Sequence, residues 1–142
     1  MELNGSPITE SDLAALGLVG YGHFTSMRVE NHAVRGLSQH MDRLIRDCRT
    51  VFDTELDPDR VRELIRHALP DTASPVVVRV TVFDPHLGLG KPGADADPQI
   101  LVTSREAPAV PSNDQNLWIP GGRAFPEDDR RSHRILIKTS VG

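Results

Sequence analysis

With 142 residues, the chain suffices for one ordinary domain, which at this size buries roughly two thirds of its unfolded surface without staples. A formal net charge of −4 excludes an electrostatic grip on nucleic acid or an anionic membrane, since both need a cationic face. The lone Cys48 excludes an internal disulfide and a zinc knuckle, while no apolar run of membrane length and no basic leader at Met1-Glu2-Leu3-Asn4 lead us to expect a cytoplasmic protein.

Thr9-Glu10-Ser11-Asp12 reads as an N-cap with an acidic first turn, which predicts a short helix near 10–16 ended by Gly17. From Phe24 to Glu30, Thr25, Met27 and Val29 alternate with Ser26, Arg28 and Glu30, the pattern of a half-buried strand. Asn31-His32 turns the chain into a second short strand at Ala33–Gly36. Ser38 is then expected to cap a helix whose apolar stripe is Met41, Leu44, Ile45, Cys48 and Phe52. Asp57-Pro58 opens a second helix with the stripe Val61, Leu64, Ile65, Ala68 and Leu69, stopped by Pro70.

The β-branched run Val76–Phe83 predicts a central strand covered on both faces, and Gln99–Ser104 another strand. Between them, Asp84–Pro98 is too rich in Gly and Pro for a tight hairpin. From Glu106 to His133 four prolines and Gly121-Gly122 mark a linker, after which Arg134–Thr139 regains strand character close to Gly142. These elements imply an α+β fold. Its small two-layer domain, residues 1–105, has a mainly antiparallel sheet packed on two helices. A Pro/Gly-rich linker (106–133) and a short strand-like stretch (134–142) follow.

His40 and Arg43, three apart near a helix start, form a basic corner that suits a phosphate, although Arg46 and Arg49 extend it as an ordinary solvated face would. Asp84, His86, Asp95 and Asp97 have no fixed ligand spacing, so no metal is expected. Gly88-Leu89-Gly90 is too short to be a phosphate loop. Cys48 sits on the apolar stripe as a small core residue. Fourteen Arg stand against two Lys, Lys91 and Lys138, so any amine chemistry has few places to occur.

The strand Tyr21–Val29, a hairpin partner, Leu37-Ser38-Gln39-His40-Met41-Asp42-Arg43-Leu44, a second helix and Val76-Val77-Val78-Arg79-Val80 follow one another in a telling order. Together they resemble the small N-terminal domain of class IV, or fold-type IV, aminotransferases, a pyridoxal phosphate family that includes aminodeoxychorismate lyase. The resemblance covers about residues 1–105. It implies that Arg43, in the His-x-x-Arg-Leu motif, grips the cofactor phosphate. It implies that Lys138, just beyond the linker, is the Schiff-base lysine, because Lys91 lies in a loop among solvating residues. Phe24-Thr25-Ser26 replaces the family's usual Phe-Glu and is similar to the lyase branch, which places Thr25 on the substrate side as a second catalytic residue.

The resemblance further implies a homodimer and an amino-acid or aminochorismate-like substrate, handled by transamination or lyase chemistry. In the family the rest of the cofactor site comes from a large domain beyond the lysine, so residues 134–142 are expected to begin a truncated second domain, and the chain to be a fragment or a frame-shifted product. The alternative expectation is a non-catalytic interaction module that keeps the small-domain fold.

Overall fold

A computed structural model describes residues 1–72, 74–87, 95–108 and 133–134. The chain starts with a hairpin, β1 (Glu2–Leu3) and β2 (Ser6–Pro7), absent from the sequence-based expectation. Its two-residue turn is Asn4-Gly5, both at positive φ (51° and 86°), as a type I′ turn requires. Helix α1 spans Glu10–Val19, three residues longer than expected. Gly17 lies inside it, and the left-handed residue that ends it is Gly20, at φ 61°. Its N-terminus matches the expectation: Thr9 and Asp12 form a reciprocal capping box.

Strand β3 (Gly22–Glu30) turns through Asn31-His32, both left-handed, into the two-residue β4 (Ala33–Val34). Helix α2 runs over Leu37–Phe52. Gly36, at φ 66°, occupies its N-cap without any side-chain cap, and Ser38 is already inside the helix. The early start follows from packing, because it places Leu37 in the core with Met41, Leu44, Cys48 and Phe52. Helix α3 (Pro58–Ala68) has the expected Asp57 cap and first-turn proline. Strands β5 (Val76–Phe83) and β6 (Gln99–Glu106) follow, and β7 (His133–Arg134) pairs with β4.

Among the described residues the sheet is antiparallel in the order β2-β1-β6-β5-β3-β4-β7. Its centre is β5, paired along its whole length with β3 (Thr25 opposite Val80) and β6 (Val80 opposite Val102). One face presents Met27, Val29, Val78, Val80, Val82, Ile100 and Val102 to α2 and α3, which cover it as a second layer. The architecture is therefore the expected α+β two-layer domain, with helices segregated on one side of an antiparallel sheet. The other face carries Phe24, Arg79, Thr81 and Leu101, bordered by Leu13 and Leu16 of α1. Most of the expected linker and second-domain start lies outside the described residues. Among the described residues no helix is long and apolar enough to cross a membrane.

Candidate functional site

Alternation along β3 sends its residues to two different places. His23 and Thr25 face α2, while Gly22 and Phe24 face the open side of the sheet. On the helix side, Thr25 is 2% exposed, and its Oγ1 shares a 2.7 Å hydrogen bond with Nδ1 of His40. That bond ties the middle of β3 to the first turn of α2. Burial holds the His40 imidazole below its ordinary pKa, and the nearby Arg43 charge adds to this.

One turn on, Arg43 Nε lies 3.5 Å from Asp47 Oδ2, and the Arg43 side chain remains 57% exposed. Asp47 also accepts from Arg46, at 3.0 Å from Nε and 2.9 Å from the terminal nitrogen. Burial works to raise the Asp47 pKa but is outweighed by the Arg46 hydrogen bond and charge, with His23 and Arg43 assisting, so the carboxyl stays below the usual range. Beneath this pair sits His23, buried, with neither ring nitrogen hydrogen-bonded and its ring tilted 6.0 Å from that of Phe52. Burial lowers its pKa, Asp47 partly restores it and Arg43 lowers it further.

On the open side a groove of about 480 Å³ runs between α1 and the sheet. Arg79 dominates it. Its guanidinium carbon sits 3.6 Å above the centre of the Phe24 ring, and its Nε donates to Thr81 Oγ1 at 3.3 Å. Residue type alone flags Arg79 as the one charge in an otherwise apolar run, but the groove needs α1 and β6 brought alongside, which short-range patterns do not encode. Phe24, Arg79 and Thr81 are thus additions to the expected site.

The structure brings Thr25 and His40 together and sets Arg43 on the same helix, whereas Thr25 and the groove lie on opposite faces of β3. Lys138, like Lys91, lies outside the described residues. The acidic loop residues act locally, since Asp84 accepts from the backbone N–H of His86 and Asp97, at 2.8 and 2.9 Å, and closes the loop. Among the described residues no three His, Cys, Asp or Glu side chains gather as a metal site would need.

Two guanidiniums, one on each side of the sheet, are exposed enough to meet anionic groups. Arg43 offers an exposed guanidinium for a phosphate, and Arg79 offers a second one, backed by an aromatic face, for a carboxylate.

Two solved structures share the fold. One is described as a hypothetical aminotransferase from Mycobacterium tuberculosis in its α-ketoglutarate- and PMP-bound form, with 24% identity and a TM-score of 0.53 over 74% of this chain and 36% of that one. The other is described as the PLP-bound form of a hypothetical aminotransferase from the same organism, with 21% identity and a TM-score of 0.51 over 73% of this chain and 36% of that one. The present chain therefore spans little more than a third of their length. Among curated proteins no match was found. The family model described as "Amino-transferase class IV" matches residues 22–139, a span holding Arg43, Arg79 and Lys138. With well over half of its length matched, the chain belongs to the class IV aminotransferases, whose members use pyridoxal phosphate.

Proposed function

We propose that this chain supplies the small-domain part of a pyridoxal phosphate-dependent aminotransferase acting on an amino acid and a 2-oxo acid. The reading is supported above all by the groove on the open sheet face, where a guanidinium stands over an aromatic ring inside the stretch that matches the family. When bound through a lysine, pyridoxal phosphate withdraws electron density from the substrate α-carbon and so eases loss of its proton.

The protein's own groups bind, orient and carry that proton. Arg43 holds the phosphate through charge-assisted hydrogen bonds, with Asp47 fixing its Nε end. Lys138 would supply the amine that attaches the cofactor, and its Nζ would take up the proton that leaves the substrate α-carbon. Arg79 orients the substrate carboxylate. Thr25 acts through His40, which it holds in the first turn of α2.

A second reading, a lyase acting on an aminochorismate-like substrate, is supported by the Phe24-Thr25-Ser26 sequence alone, since the Thr25 side chain faces α2 and not the groove. Under either reading the chain is part of a larger cytoplasmic protein that works as a homodimer. The exposed apolar side chains Met1, Leu13 and Phe24 at the groove suit coverage by another surface.

Pyridoxal phosphate mixed with the 142-residue chain is expected to leave a visible absorbance band on the protein after unbound cofactor is removed. Lys138→Ala should abolish it. Arg43→Ala should weaken cofactor binding by roughly tenfold or more, the scale of a lost charge-assisted contact, with the far-ultraviolet dichroism unchanged. Wild-type protein without any band would rule out cofactor chemistry by this chain and favour a non-catalytic interaction module.

A further inference from the structure

We propose that Phe24 and Thr81 are positioning residues that hold the Arg79 guanidinium as a one-edged carboxylate receptor, an inference that rests on the groove being the substrate side. The register explains how they do so. Phe24 pairs with Thr81 across β3 and β5, and Ser26 pairs with Arg79, so Phe24 and Arg79 are diagonal neighbours on the same face. Arg79 and Thr81 are two apart on β5 and share that face.

A guanidinium can present a carboxylate with two N–H edges, one that includes Nε–H and one formed by the two terminal nitrogens. In this groove Nε–H is donated to Thr81, whose side chain is buried and whose place is fixed by the strand. One flat side of the guanidinium is covered by the Phe24 ring. The terminal edge is what remains for a ligand, and the arginine reaches it without the rotamer search that a free surface side chain needs. Arg28, two rows along the same face, is differently committed. It lies 3.8 Å from Glu30 and donates to the Pro108 carbonyl at 3.1 Å.

Thr81→Val keeps the β-branched shape and removes only the acceptor, while Phe24→Leu keeps an apolar side chain and removes the ring. Thr81→Ser and Phe24→Tyr restore the acceptor and the ring. The probe is pyruvate, titrated into the ¹⁵N-labelled chain while the Arg79 Nε–H resonance is followed by NMR. Thr81→Val and Phe24→Leu are each expected to weaken pyruvate binding roughly three- to tenfold, the scale of one hydrogen bond or one cation–π contact. Both should also speed exchange of the Arg79 Nε–H with water. Thr81→Ser and Phe24→Tyr should bind within about twofold of wild type, which a purely packing role for these positions would not require.

Wild-type affinity in Thr81→Val and Phe24→Leu, together with loss of binding in Arg79→Met, would overturn the positioning role and leave the groove as the carboxylate site. Binding unaffected by Arg79→Met, or absent from the wild-type chain, would overturn the groove reading and the positioning role with it. Thr81→Val alone decides the matter if Phe24→Leu loses the dispersed amide spectrum of the folded chain.

Discussion

His23 is a polar ring in an apolar place, buried between β3 and α2 with both nitrogens unpartnered. A proton there would create a buried charge with Arg43 nearby, and only Asp47 opposes that cost. His40, partly buried and bonded to Thr25, is likewise held neutral. Both imidazoles therefore bind protons less tightly in the folded chain than in the unfolded one, whose histidines titrate near 6.5. The unfolded state takes up more protons as pH falls through that value, so the sign is fixed. Stability should be full above about 6.5 and decline as pH drops below it toward the lower folded values. Urea denaturation between pH 8 and pH 5 checks this, and His23→Leu should shallow the decline. A profile that stays flat down to pH 5 in the wild type would show that neither ring is held away from water. Asp12, Asp47 and Glu55, whose pKa values are lowered, add their dependence only below the carboxylate range and leave this window clear.

Two glycines show how an element decides what a residue means. A Cβ at Gly22, in β3, would come within 2.6 Å of the Val82 carbonyl oxygen and 3.1 Å of Phe83 Cβ, so the β3–β5 ladder would have to shift. Gly17 has nothing within 4 Å of the same position and lies inside α1. Gly22→Ala should therefore destabilise by about 1–3 kcal/mol, as overpacking does. Gly17→Ala should stabilise by roughly 0.5–1 kcal/mol through helix propensity. Thermal denaturation of the two variants should move in opposite directions. The same contrast explains what is legible in the sequence. The stripes of α2 and α3 and the β-branched β5 are long periodic signals set by burial, and the structure has these elements where the periodicity predicts them. The end of α1 and the start of α2 depart from the expectation at Gly17 and Ser38, because local residue type carries no information about the core contact of Leu37 or the reach of α1. The β1–β2 hairpin is two residues per strand, too short for alternation, and only Asn4-Gly5 marks it. Alternation separates Thr25 from Phe24, but which side faces a ligand depends on α1 and β6 arriving from distant parts of the chain.

For the whole molecule, one strand organises both halves of the candidate site. Through Thr25 and His23, β3 addresses the helix that carries Arg43, and through Phe24 it addresses the groove that carries Arg79. A domain built this way exposes one guanidinium on the helix side and another on the open side of a rigid antiparallel sheet. Membership of the class IV aminotransferases rests on the family match, and the chain spans 36% of the length of the solved aminotransferases that share its fold. The central claim is that this chain attaches pyridoxal phosphate, and the two lysines make it directly testable. The chain, mixed with an equimolar amount of pyridoxal phosphate and reduced with borohydride, can be digested and its pyridoxyl label located by mass spectrometry. The account expects the label on Lys138 and a marked loss of it in Arg43→Ala; label on Lys91 or the N-terminal amine instead, or a yield indifferent to Arg43, would contradict it.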